Sequence, residues 1–226
     1  MLLWRGRGSA RFSTIWVSAD EKSNRGLACA TIIILEPFLR KNCLSESVSL
    51  LITLLPTYLL RGLRVDHRNQ VWCIDITYIP MKKGFMYLTA IIDVHSRYIV
   101  GWGLHNTLDA SNCIEVLERA ISKYGVPEII NSDQGRQFTS KEWTAACAAY
   151  SDMKVSMDGR GRAKDNIWIE RFWKTIKYEY IYILPDDTGS ELYHGISKFV
   201  DDYNHHRRHQ GINHMVPGKI YLKEVA

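Results

Sequence analysis

Between Val71 and His105 three β-rich apolar runs follow one another with only short turns between them: VWCIDITYI, MYLTAIID and YIVGWGLH, separated by the turn at Lys82 to Gly84 and by DVHSR. Runs this close in sequence pair as an antiparallel meander, because a tight turn joins antiparallel strands whereas parallel ones need a long crossover. Such a sheet must be covered, and the following residues supply the cover. Leu108 to Tyr124 repeats apolar residues at Ile114, Leu117 and Ile121 with helical spacing, has Asp109 or Ser111 as caps, and stops at Gly125 and Pro127. A short strand from Glu128 to Asn131, a helix from about Ser140 to Ala149 capped by Ser140, and a strand around Met153 to Ser156 come next. A long helix from about Lys164 to the region of Tyr182, stopped by Pro185, and another over roughly Glu191 to His205 end the series. The order βββαβαβα predicts an α/β layered fold with a mixed sheet.

At 226 residues with 46% hydrophobic content, the chain is large enough for one well-packed domain plus an appendage, which excludes a mainly disordered protein. We read 1–57 as a poorly defined N-terminal segment and 58–226 as the core with a helical C-terminal extension. In the former, Leu27 to Leu35 reads as a strand and Glu46 to Leu55 as a short helix stopped by Pro56. The net charge of +5 suits a nucleic-acid partner without requiring one. Cys29, Cys43, Cys73, Cys113 and Cys147 are scattered, odd in number and lack C-x-x-C spacing, so they support neither a disulfide framework nor a zinc knuckle and point to a reducing, cytoplasmic compartment. The start of the chain lacks the apolar stretch of a signal peptide, and the longest apolar run, Val48 to Leu60, is interrupted by Pro56 and too short to span a bilayer.

Asp75 lies in the middle of an apolar strand, flanked by Ile74 and Ile76, where an unpaired carboxylate costs several kcal/mol unless a cation is near. Alone, it would equally suit an Asp satisfied by a nearby Lys, Arg or backbone amide. Asp133 sits just past the end of another strand, where open α/β sheets place their ligands. Glu170 shares a helix face with Asn166, Lys174 and Lys177, while Trp168, Phe172, Ile176 and Tyr180 form a separate apolar stripe suited to core packing. The plain alternative for Glu170 is an ion pair with Lys174. Three carboxylates from two strands and a helix can hold two divalent ions about 4 Å apart, one activating the attacking oxygen and one stabilising the leaving oxygen of a phosphodiester. Oxygen ligands favour Mg²⁺ or Mn²⁺ over zinc, with Arg160, Arg162, Lys174 and Lys177 on neighbouring phosphates.

Several ordered blocks then resemble one family: Trp72-x-x-Asp75-x-Thr77-Tyr78; Asn131-Ser132-Asp133-Gln134-Gly135-x-Gln137-Phe138; Met157-Asp158-Gly159-Arg160-Gly161; and Asp165-Asn166-x-x-x-Glu170-Arg171-Phe172-Trp173. They are similar to the catalytic core of insertion-sequence transposases in the retroviral integrase superfamily, of the type sometimes called the insertion sequence three family, whose second reading frame encodes the catalytic part. The tail Tyr203-Asn204-x-x-Arg207-Arg208-His209-Gln210 with Pro217 resembles the same proteins, so the likeness runs from about Tyr58 to the C-terminus. The resemblance implies a ribonuclease H-like fold, a mixed five-stranded sheet flanked by helices, with Asp75, Asp133 and Glu170 as catalytic and metal-binding triad. It implies DNA as partner, both terminal inverted repeats and target DNA, a homo-oligomer on paired ends, and nucleoid association in a bacterial cytoplasm. The implied reaction is hydrolysis of one strand followed by strand transfer from the freed 3′-OH.

Three departures stand out. Asp133 and Glu170 are one residue further apart than such proteins usually place them, a surplus assigned to Tyr150 to Met153. Position 136 is Arg where a small residue is usual, and the first 55 or so residues do not resemble the helix-turn-helix region expected upstream. The rival reading is therefore an inactive, truncated remnant that binds only DNA or an intact transposase, and a third is a structure-selective nuclease. Arg207 and Arg208, with His205, His206 and His209, read as a basic DNA-facing helix end, or equally as a solvated terminus. Asp93 and Asp158 read as turn residues and Asp165 as a helix cap rather than further ligands.

Overall fold

The computed structural model describes residues 59–158 and 166–223. The strand and helix expected at Leu27 to Leu35 and Glu46 to Leu55 lie outside the described residues.

The meander forms as expected: β1 (Val71–Pro80), β2 (Phe85–Asp93) and β3 (Ile99–His105) pair antiparallel. After helix α1 (Ala110–Tyr124) the chain returns as β4 (Ile129–Ser132), parallel to β1, and after α2 (Lys141–Ala148) as β5 (Lys154–Met157), parallel to β4. The result is a mixed five-stranded sheet in the order β3-β2-β1-β4-β5, with β1 at its centre. Helix α3 (Ile167–Ile176), a π-turn (Lys177–Ile181), α4 (Gly189–His205) and the short α5 (Pro217–Tyr221) follow.

Both faces of the sheet are covered, so β1 carries apolar residues on either side. Val71, Cys73 and Ile79 pack with Ile169, Phe172, Trp173 and Ile176 of α3 and with Ile196 and Val200 of α4. Trp72 and Ile74 pack on the other face with Val116, Leu117 and Ala120 of α1, with Trp143 and Cys147 of α2, and with Tyr221. Helix starts follow their sequence signals. Ser140 Oγ accepts the Trp143 N–H, and Thr188 and Glu191 form a capping box at the head of α4.

The long helix expected from Lys164 to Tyr182 is instead an α-helix that widens into a π-turn at Lys177, where the Tyr182 N–H bonds the Lys177 carbonyl. Ile176 and Ile181 are both buried. Five residues apart, they would diverge on an α-helix, and the i→i+5 turn aligns them on the core. The buried stripe also differs from the expected one: it is Ile169, Phe172, Trp173 and Ile176. Trp168 is half-buried beneath the Arg97 guanidinium, and Tyr180 bonds Asp186 and stacks on Phe199.

Candidate active site

The register of the parallel pair sets the site. Cys73 of β1 stands beside Asn131 of β4, the last pair of that ladder, and Asp75 and Asp133 each follow two residues further on, at the mouth where the two strands part. Neighbouring strands run roughly 4.8 Å apart. Asp133 lies just beyond the end of β4 and is exposed. Its Oδ1 accepts the Gly135 N–H at 2.9 Å, which closes the turn. A Cβ on Gly135 would sit 2.9 Å from that same oxygen, so a larger residue there would displace the Asp133 carboxylate.

Asp75 is half-buried under α3. Trp173 donates its indole Nε1–H to Asp75 Oδ2 at 2.8 Å. Burial pushes the Asp75 carboxyl up to about 6. The Trp173 and Ile76 N–H groups pull it back, and the charges of Asp133 and Glu170 push it up again. Both acids are therefore close enough to be felt at Asp75. Glu170 is exposed in the first turn of the same helix, one turn before Trp173. Among the described residues no ion pair is made by Asp75, Asp133 or Glu170, so the Glu170–Lys174 pair is not formed. No three His, Cys, Asp or Glu side chains among the described residues are grouped tightly enough to hold an ion. The acids share one mouth without closing round it, and the chemistry of this donor set, hard carboxylate oxygens that make no ion pair among the described residues, fits a divalent metal.

Other expected site residues are placed as follows. Lys174 is exposed, and Lys177 is half-buried, its pKa lowered by burial and raised by the charge of Asp75. Asn166, expected on the polar face with Glu170, is buried, because the head of α3 presses on β1; its Nδ2 donates to the Ile74 carbonyl at 3.5 Å. Arg207, expected on phosphate, is engaged elsewhere: its guanidinium clasps both oxygens of the Glu179 carboxylate and ties the end of α4 to the π-turn. Arg208 is exposed. Burial lowers the His209 imidazole to about 4, with Arg207 adding to the effect; its ring packs on Tyr203 at 4.4 Å, so it is neutral at pH 7. Arg160, Arg162 and Asp165 lie outside the described residues. Asp93 is a buried turn residue whose carboxylate accepts the N–H groups of Asn69 and Ser96 and the Ser96 hydroxyl. Asp158 accepts from Asn131 Nδ2 at 2.9 Å. Arg136 is exposed in the turn after Asp133. Trp173 is the site residue the sequence reading did not single out; its position three residues after Glu170 was the available signal.

Two integrase core domain models match residues 65–163 and 151–217. The chain belongs to the integrase core domain family. Among its relatives, the transposase for insertion sequence element IS904 of Lactococcus lactis subsp. lactis (strain IL1403) is 35% identical over 152 residues, covering 66% of this chain and 60% of the relative. Transposase InsF for insertion sequence IS3A of Escherichia coli (strain K12) is 28% identical over 161 residues, 70% of this chain and 56% of the relative. The chain thus spans less than two thirds of the curated relatives it matches. The solved HTLV-2 integrase catalytic core domain, a complex with magnesium, superposes with a TM-score of 0.57 at 24% identity, over 70% of this chain and 99% of that one. The mixed five-stranded sheet with its flanking helices is a ribonuclease H-like α/β fold, shared with this integrase core. No helix among its described residues is long and apolar enough to cross a membrane.

Proposed function

We propose that this integrase core is the catalytic part of a DNA transposase, cutting and joining phosphodiesters at the ends of an insertion sequence. The observation that carries the reading is that Asp75 and Asp133 each follow the last paired residues of β1 and β4 by two positions, at the mouth where those strands part, with the charges of Asp133 and Glu170 felt at Asp75. Asp75, Asp133 and Glu170 would hold Mg²⁺ or Mn²⁺, two ions in the full reading, which when bound activate the attacking oxygen and stabilise the leaving one. The remaining work falls to the chain itself. The Trp173 N–H fixes one oxygen of Asp75. Lys174, Lys177 and Arg208 would neutralise backbone phosphates on either side of the scissile bond. In the first step a water oxygen bonds to phosphorus, the bond from phosphorus to the 3′ oxygen breaks, and the strand leaves as a 3′-OH. In the second step that hydroxyl bonds to a target phosphorus and displaces the target's own 3′ oxygen. The substrates are then terminal inverted repeats and target DNA, with a homo-oligomer pairing two ends.

The test is cleavage and strand transfer by the purified chain on duplexes carrying the flanking repeats, with Mg²⁺ or Mn²⁺. Asp75→Asn, Asp133→Asn and Glu170→Gln should each abolish both products, a loss of at least a thousandfold, with melting curves that stay cooperative. Retained cleavage in any of the three would sink the triad. Wild-type chain that binds repeat DNA but yields no product until Arg136 is replaced by Ser would favour the inactive-remnant reading.

A further inference from the structure

The outer face of α3 and its π-turn carries a row whose last two members, both tyrosines, the reaction described above does not use. Glu170, Lys174, Tyr178 and Tyr182 follow at four-residue intervals, and all four are exposed. Tyr178 is 65% exposed and Tyr182 52%, and their rings meet edge to face at 5.5 Å. In an α-helix the fourth residue along is displaced sideways from the first; the wider π-turn sets Tyr182 more squarely above Tyr178. The core does not need these rings, since Ile176 and Ile181 fill the inner side of the same turn. Two rings thus stand in water, continuous with the helix face that bears the catalytic acid and its lysines.

Charge on this turn favours an anionic polymer. Lys174 and Lys177 precede the rings, and the one acid within the turn, Glu179, is neutralised by Arg207. That clasp gives Arg207 a role that direct phosphate binding would not: it removes a negative charge from beside the aromatic pair. Exposed aromatic rings next to cations are the combination that binds unpaired nucleic acid, because bases stack on the rings while the cations follow the backbone. A base inside a duplex hides both of its faces in the stack.

We propose that Tyr178 and Tyr182 form a stacking site for unpaired nucleobases of a DNA strand lying across the active site. The proposal rests on the phosphodiester chemistry assigned to this face.

The test uses the full chain and two DNA probes of one repeat sequence, a blunt duplex and a duplex with a single-stranded overhang bearing 2-aminopurine. The wild-type chain should quench the 2-aminopurine, as should Tyr178→Phe and Tyr182→Phe. Tyr178→Ala and Tyr182→Ala should lose the quenching and bind the overhang probe between about fivefold and a hundredfold more weakly. Their affinity for the blunt duplex should stay within twofold of wild type. Quenching unaffected by both alanine changes would overturn the stacking site and leave the phosphodiester reading intact. Absence of binding to either probe by the wild-type chain would overturn both. Alanine variants that keep overhang affinity but convert a wild-type dimer to monomer in sedimentation would assign the rings, with exposed Ile183 and Leu184 beside them, to contact between copies and overturn the proposal.

Discussion

A single N–H separates two versions of the Asp75 environment. With Trp173 in place, Oδ2 of the carboxylate is held at 2.8 Å. Trp173→Phe keeps an aromatic ring in place and removes the donor with part of the indole. A hydrogen bond to a charged group is worth about 1.5–3 kcal/mol, so strand cleavage should fall roughly tenfold to a hundredfold, while the melting temperature stays within a few degrees of wild type. Parallel cleavage rates and thermal melts decide it: a rate equal to wild type would show that Asp75 needs no such restraint. At this scale the place of Asp75 within a strand was legible and its partner was not. Asp75 stands out because a carboxylate inside Val-Trp-Cys-Ile-Asp-Ile has no local reason to be there. Trp173 looks like any other aromatic of a buried helix, since its partner lies on a strand 98 residues earlier. The ion pair of Arg207 was hidden for the same reason: Glu179, which engages it, is 28 residues away.

Among the elements, strands and caps were written locally and helix continuity was not. β-rich apolar runs and turn residues placed the five strands of the sheet to within a residue or two, and Ser140 marked its helix because the cap bond spans only three residues. The widening at Lys177 depends on where the core lies beneath Ile176 and Ile181, which a repeat of 3.6 does not encode. Close packing of α1 against the sheet was also silent in sequence. A Cβ on Gly103 of β3 would lie 2.6 Å from Val116 Cγ2 of α1 and 2.7 Å from His105 Cε1. Gly103→Ala should therefore destabilise the fold by about 1–3 kcal/mol through overpacking, read as a lower denaturant midpoint with an unchanged slope. An unchanged midpoint would show that α1 moves away from β3 at little cost.

For the molecule as a whole, the sheet order could be reasoned from the alternation of strands and helices, but not the way distant parts of the chain are fastened together. Asn69 does much of that fastening, from a left-handed conformation at φ 60°. Its N–H donates to Asp93 and its Nδ2 to the Tyr124 carbonyl, while its Oδ1 accepts from the Trp72 indole and from the Tyr221 hydroxyl at 2.6 Å. Tyr221 is fully buried and stacks on Tyr98 with centroids 4.7 Å apart. Tyr221→Ala should cost about 3–5 kcal/mol, in line with other large aromatic deletions, and Tyr221→Phe about 1 kcal/mol for the lost bond. Equilibrium unfolding measures both, and equal costs would locate the whole effect in the hydroxyl. Because one amide grips the start of β1, the end of α1 and the C-terminal helix together, the fold behaves as a buckled strap rather than an open ribbon. Force applied at the C-terminal helix would be delivered to the head of the strand bearing Asp75, so a chain held under tension would feel the load in its active site before its sheet began to part.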